Sequence, residues 1–242
     1  YFLGLFKSEK NIFKKVFFLL ESIKLKRFEK ILEKATGILS ISPFEQEYFT
    51  KKYGAKTFYI PVFHDTTNST QTGEKGDFIL YHGDLRIADN IRAALFLIDV
   101  YKNTPYQFVV ASSCKNKTVL KHINMYHNIN FKDIPTQESL EQLFKKAQIN
   151  TLFTFQKTGI KLKLLNTLHQ GKHIISNTQM IEDTGLESLC ELANTKKEIL
   201  DKTSKLLEQT FSKTHIIARK EKLLDFNTTE NAKKIVAIIF KR

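Results

Sequence analysis

Residues 154–163, Thr-Phe-Gln-Lys-Thr-Gly-Ile-Lys-Leu-Lys, hold the densest chemistry in this sequence. A β-prone run ends there, a glycine follows, and an amphipathic helical pattern begins. Gly159 lets backbone approach a ligand closely, and the helix start behind it offers unpaired N–H groups and the positive end of a dipole. Lys161 and Lys163 bring two full positive charges to the same point. A diphosphate needs this combination, because main-chain donors orient its oxygens while ammonium groups neutralise them. An ordinary strand–turn–helix with two solvated lysines has the same local pattern, so spacing alone leaves both readings open.

Two other segments have a similar form. Tyr81-His82-Gly83-Asp84-Leu85-Arg86 places a glycine turn after a short apolar run. Glu182-Asp183-Thr184-Gly185-Leu186-Glu187 sets Thr184 and Glu187 at capping-box spacing around an exposed helix start, and its acids could meet sugar hydroxyls. His82 reads as a structural residue ending a strand, and Phe153 and Phe155 read as core. The seven histidines show no metal-ligand spacing. Cys114 and Cys190 lie outside any motif, as suits a reduced cytosolic protein without disulfides.

The elements that must position these residues alternate. A long helix is expected over 11–35, with Phe28, Ile31, Leu32 and Ala35 on one face. A short strand at 37–41 follows, then a helix capped by Ser42, opened by Pro43 and stopped at Gly54. A strand from Thr57 to Ile60 ends at Pro61. Residues 64–76 are polar and turn-rich, the pattern of a linker. Strands are then expected at 77–82, 106–111, 129–132, 151–155 and 173–177. Helices are expected at 90–101 (with Ile91, Leu95 and Ile98 inward), 117–123, 137–147, 162–169 (ended by Gly171), 195–211 and from Asn227 nearly to the C-terminus. This alternation predicts an α/β protein with Rossmann-like parallel sheets, and ligands in such sheets bind beyond the carboxyl ends of the strands.

The chain has 242 residues, 42% of them hydrophobic, enough for a real core and not the composition of a disordered chain. Its formal charge of +13 is spread along the chain and attracts anions of every kind. The apolar runs are too short to span a bilayer. With tyrosine first and a helical pattern starting at once, a fragment is expected.

Taken in order, these segments resemble GT-B glycosyltransferases of the group 1, family 4-like kind. Thr158 to Gly171, followed by Lys172 to Asn177, is similar to that family's donor-site segment, a glycine-rich turn opening a helix of the form LLEAL–G before a strand such as PVIA. Glu29 to Ala35 with Ser42, then Tyr59-Ile60-Pro61, then Tyr81-His82-Gly83, resemble the interdomain region and the start of the C-terminal domain. The resemblance implies GT-B architecture with an incomplete N-terminal domain: residues 1–63 ending the acceptor-side domain, 64–76 a linker, 77–226 the nucleotide-sugar domain and 227–242 a C-terminal helix. It implies transfer of a sugar from a nucleotide-diphosphate sugar to a hydroxyl of a glycan or lipid-linked acceptor, with no bound metal or other cofactor. Donor-binding residues would be Gly83, Thr158, Gly159, Lys161, Lys163, Asn166, Thr184 and Gly185. Thr158 and Asn166 stand where many relatives carry two glutamates, and Asp84 and Asp89 where basic residues are usual, so no catalytic residue is assigned and this chain alone is expected to be incomplete as an enzyme.

A cytoplasmic location is expected, with peripheral contact to the inner membrane face through Lys14-Lys15 and Phe17-Phe18. A non-catalytic nucleotide-sugar-binding or scaffold protein is the first alternative. A basic nucleic-acid-binding module is the second, but interleaved basic and aromatic surface segments and reader motifs are missing, so nucleic acid is not an expected partner.

Overall fold

The computed structural model describes residues 2–9, 11–64, 74–156 and 162–240. Most of the expected linker, residues 65–73, lies outside them, as do Thr158, Gly159 and Lys161. The chain forms two compact units, residues 1–62 with 233–242, and residues 63–232.

The first unit runs α1 (Phe2–Ser8), α2 (Ile12–Phe28), β1 (Ile38–Ser40), α3 (Pro43–Tyr53) and β2 (Thr57–Tyr59). β1 and β2 pair in parallel, Ile38 opposite Thr57. The Ser42 hydroxyl accepts the Glu45 N–H at 3.2 Å, and α3 stops at Gly54 (φ 71°), as expected. The single helix expected over 11–35 instead gives way after Phe28 to a 3-10 helix, Glu29–Lys34. Side chains of α3 and the turn after it grip that tightened segment. The Glu29 carboxylate accepts from Tyr48 at 2.9 Å and Lys52 at 2.5 Å, while Lys56 Nζ donates to the carbonyls of Leu32, Glu33 and Ala35. Phe28 and Ile31 are exposed, and none of α2 is buried.

The second unit carries a six-stranded, wholly parallel sheet: β3 (Phe78–His82), β4 (Gln107–Ser112), β5 (Ile129–Asp133), β6 (Ile149–Leu152), β7 (His173–Ser176) and β8 (Glu191–Leu192). Their spatial order is β5-β4-β3-β6-β7-β8. The first strand of the unit therefore lies beside the fourth, and successive connections leave in opposite directions from that pair. A crevice opens at this switch point in doubly wound sheets. β3 and β4 read as apolar runs because both faces are covered. α4 (Ala88–Tyr101), α5 (Lys117–Ile123) and α9 (Lys196–Glu208) pack Ala94, Leu97, Tyr101, Val119, Ile199 and Leu206 around Ile79, Phe108 and Ile149. Phe144 of α6 (Gln137–Lys146), with Ala147 just after it, covers Leu80 and Val109 on the other face. α7 (Leu162–Gln170) lies beside α6 and buries Leu164, Leu165 and Leu168.

Several elements differ from expectation for identifiable reasons. The buried stripe of α4 falls on Ala93, Ala94, Leu97, Ile98 and Tyr101, with Ile91 and Leu95 only partly buried. Small alanines let the helix lie close on the sheet, which the search for large apolar residues overlooks. β6 starts and ends earlier than the expected 151–155, because side chains capture the amides of Thr154 and Phe155 and terminate the ladder. Sequence patterning also misses α8 (Thr178–Ile181), β8 and α10 (Lys213–Leu223), whereas the caps at Thr136, Thr195 and Asn227 form as expected, the last opening α11 (Thr228–Phe240).

Candidate functional site

At the switch point, the loop after β3 lies against the first turn of α7. Gly83 leaves β3 with its N–H bonded to the Ala111 carbonyl at 3.1 Å. A Cβ added there would lie 3.0 Å from Lys163 Nζ, 3.1 Å from the Tyr81 hydroxyl and 3.2 Å from Asn90 Cγ. Only hydrogen fits that gap without displacement, so the glycine is explained by close approach. Lys163, in the first turn of α7, reaches across and donates to Asn90 Oδ1 at 3.1 Å, its Nζ 4.9 Å from the centre of the Tyr81 ring. Asn90 is held in turn: its amide donates to the Asp84 carbonyl at 3.0 Å, and its own carbonyl accepts from the Tyr81 hydroxyl at 3.0 Å.

Lys163 is thus no solvated surface lysine. Burial pushes its ammonium down to about 8, with the nearby Asp89 carboxylate acting in the opposite direction. His82, at the end of β3, is buried edge-on against Phe144 at 5.1 Å. Burial, with Lys163 adding to it, pushes its imidazole down to about 3, so it is neutral at ordinary pH.

Asp89 and Asn90 were not expected as site residues. Asp89 sits in the first turn of α4, yet its carboxylate leaves its own helix and accepts from Thr154 Oγ1 at 2.6 Å and from the Phe155 N–H at 3.0 Å. Asn177, after β7, closes the same turn from the far side, accepting from the Thr154 N–H at 3.3 Å and donating to its carbonyl at 2.7 Å. Phe153 is core, and Phe155 packs against it with the Arg92 guanidinium 3.9 Å above its ring. The only sequence signal for Asp89 was its sign, since it is an acid where the resemblance has a base.

The remaining expected positions are distributed along this edge. Asn166 lies one turn beyond Lys163, and its carbonyl oxygen accepts from His64 Nε2 at 2.7 Å; the His64 ring stacks on that of His169 at 4.1 Å. Thr184 and Gly185 follow α8 in a loop with left-handed φ at Asp183 (61°) and Gly185 (74°). The helix expected after them is a single 3-10 turn, Glu187–Leu189. Glu187 does accept the Thr184 N–H at 3.1 Å, but the Thr184 hydroxyl donates back to the Ile181 carbonyl at 2.6 Å and accepts the Leu186 N–H at 3.2 Å, one residue short of the capping-box partner. Thr158, Gly159 and Lys161 lie outside the described residues.

A cavity of about 180 Å³ lies elsewhere, lined by His173, Cys190, Phe211, His215 and Arg219 among others. The Arg219 guanidinium donates there to the carbonyls of Leu168 at 3.1 Å, Gly171 at 2.5 Å and Lys172, fastening α10 to the end of α7. This arrangement is structural.

Gly83→Ala is expected to push the Lys163 head off Asn90, the lysine being the most flexible of the three neighbours. Overpacking of this kind costs about 1–3 kcal/mol. Melting curves of the wild type and the variant check that cost.

The order of the six strands, with the crevice at the switch point, is the Rossmann-like α/β fold of GT-B glycosyltransferases. The structure of TarM matches 88% of this chain and 46% of its own, with a TM-score of 0.68 at 14% identity. Anabaena HepE in complex with UDP and glucose matches 86% of this chain and 64% of its own, TM-score 0.66 at 11% identity. The lipopolysaccharide outer core galactosyltransferase WaaB matches 86% and 62%, TM-score 0.60 at 16% identity. No family model matches the sequence. An uncharacterized 44.6 kDa protein in the cps region of Klebsiella pneumoniae is 24% identical over 216 residues, 83% of this chain and 54% of that protein. The chain therefore spans about half the length of TarM and of the Klebsiella protein. No helix among the described residues is long and apolar enough to cross a membrane.

Proposed function

We propose that this chain is the donor-binding part of a glycosyltransferase, acting on a nucleotide-diphosphate sugar and passing the glycosyl group to a hydroxyl of a glycan or lipid-linked acceptor. The observation that carries the reading is the Lys163 ammonium held against Asn90 and Gly83 at the switch point of the sheet. In parallel α/β folds this is the ligand crevice, and a partly desolvated cation there suits a diphosphate better than it suits any structural need. HepE, which shares the fold, binds UDP and glucose in its complex.

In this reading Lys163, together with Lys161 and the Gly159 turn, holds the diphosphate and stabilises it as a leaving group. Asn166 would hold the ribose and Thr184-Gly185 would stand near the sugar, with Gly83 and Thr158 as further donor-binding residues. No residue of this chain is assigned to the acceptor site or to the general base. The protein is cytoplasmic in this proposal, in keeping with two unpaired cysteines. Peripheral contact with an anionic membrane would use α2, whose exposed Phe13, Val16 and Phe17 lie next to Lys14 and Lys15. Failure to co-sediment with anionic vesicles at low salt removes that part alone. Binding without catalysis is the second reading, favoured by Thr158 and by the commitment of the Asn166 carbonyl to His64.

No metal is required for donor binding in this proposal. Thermal melts with UDP- and GDP-sugars, with and without EDTA, are expected to show the same stabilisation in both arms, about 2.7 kcal/mol at a hundredfold excess over Kd. Strict dependence on a divalent ion, or no stabilisation by any nucleotide sugar, overturns the reading.

A further inference from the structure

His64, at the start of the second unit, meets α7 from outside that helix, and both its main chain and its ring are fixed there. Its N–H donates to the Phe226 carbonyl at 3.0 Å, and its main chain pairs in parallel with Asn227. Its ring lies flat on that of the buried His169, centroids 4.1 Å apart and planes 1° from parallel. Asn166 is one turn before His169 and lies beside it on the same face of α7. The ring that stacks on His169 thereby reaches Asn166, its Nε2 2.7 Å from Oδ1.

A carboxamide has two ends, an oxygen that accepts and an –NH2 that donates. Alone on a helix surface, it can turn either end towards a ligand. Here the oxygen is held, and because Oδ1 only accepts, the His64 ring carries a proton on Nε2. The –NH2 of the half-buried Asn166 has no hydrogen-bond partner among the described residues. The stack and the main-chain bonds suffice to pack His64; its hydrogen bond to Asn166 does something more, giving that amide a fixed polarity. We propose that His64 is a positioning residue for the ribose: by holding the Asn166 oxygen, it presents the –NH2 as a fixed donor to the ribose hydroxyl oxygens of the nucleotide. The proposal rests on the reading of Asn166 as the ribose residue and is independent of Lys163. A ribose hydroxyl both donates and accepts, so an –NH2 is a competent partner for it.

The test uses the whole chain and the nucleoside diphosphate it binds, UDP or GDP, against the 2′,3′-dideoxy form of the same nucleotide. The wild type is expected to bind the dideoxy form about three- to tenfold more weakly, the worth of a neutral hydrogen bond. His64→Phe keeps a ring to stack on His169 but cannot donate. Its preference should shrink to less than about twofold, while its affinity for the dideoxy form stays at the wild-type value. Asn166→Ala should lose the preference equally, and the double variant should lose no more than either alone, as one coupled pair requires. His64→Gln, which restores an N–H, should recover part of it. Nitrogen-15 spectra, with the His64 signals assigned through His64→Gln, should show the ring proton on Nε2. His64→Ala replaces His64→Phe should that variant not fold. A wild type indifferent to the ribose hydroxyls, a preference undiminished in the variants, an equal loss for both nucleotides, or a ring proton on Nδ1 alone makes His64 a packing residue only and overturns the proposal. A wild type that binds no nucleoside diphosphate removes the proposed function itself, and this inference with it.

Discussion

Lys163→Met is expected to bind a nucleotide-diphosphate sugar about ten- to a hundredfold more weakly than the wild type while melting at an equal or higher temperature. The two effects have opposite signs because they have different origins. A charge-assisted contact to phosphate is worth about 1.5–3 kcal/mol, which converts to that loss of affinity. Folding, by contrast, must enclose the ammonium against Tyr81 and Asn90 with no carboxylate in salt-bridge contact among the described residues. Exchanging such a half-buried, unpaired ammonium for an apolar side chain of similar volume is neutral or mildly stabilising. The pH dependence separates the roles further. Burial sets the Lys163 pKa near 8, below its ordinary value of 10.5. Wild-type affinity should therefore fall as pH rises through 8, and the fall should be absent in Lys163→Met. Between pH 8 and 10.5 the unfolded chain holds the proton that the folded protein has released, so wild-type stability should climb relative to the variant over that interval. Calorimetric titrations and melting curves across pH 6–10 check each part. Equal affinity in both proteins would leave Lys163 as a strut and remove the main site assignment. Lys161→Ala should weaken binding in the same direction.

Arg219→Ala should be the most destabilising single change in the second unit, on the order of 3–5 kcal/mol. Arg219 is 5% exposed, and its guanidinium serves three main-chain carbonyls at the end of α7 and the turn into β7. Alanine leaves those oxygens without a donor in a site that water enters poorly, and it removes the cation packed 4.6 Å over Phe211. Part of the gain is offset in the wild type, since burial pushes the guanidinium down to about 10. Arg219→Lys should recover little, because a single ammonium cannot span the positions that a planar fork reaches. Because α7 also carries Lys163, UDP affinity should fall together with stability. Denaturant melts of the three proteins decide the matter; a cost below about 1 kcal/mol for alanine would show that desolvation cancels the three bonds.

Where periodicity and punctuation act locally, the sequence was sufficient. Ser42, Thr136, Thr195 and Asn227 cap the helices they were expected to cap, since a side chain three residues from its N–H partner needs no tertiary help. Alternating strands and helices announced a parallel sheet, because strands buried on both faces must read as apolar runs. The ordered likeness to GT-B glycosyltransferases singled out Gly83 and Lys163, and the structure brings the two together. Strand order was not legible, because it depends on which side of the sheet each connection crosses, and that order creates the crevice. The 3-10 break at Glu29, the early end of β6 and the role of Asp89 were hidden for one reason. Each depends on a polar side chain distant in sequence: Tyr48 and Lys52 on Glu29, Asp89 and Asn177 on Thr154 and Phe155, Lys163 on Asn90. Residue types along the chain determined which groups were available for chemistry. Only the packed sheet decided that a lysine and an asparagine 73 positions apart, Lys163 and Asn90, would meet across the crevice.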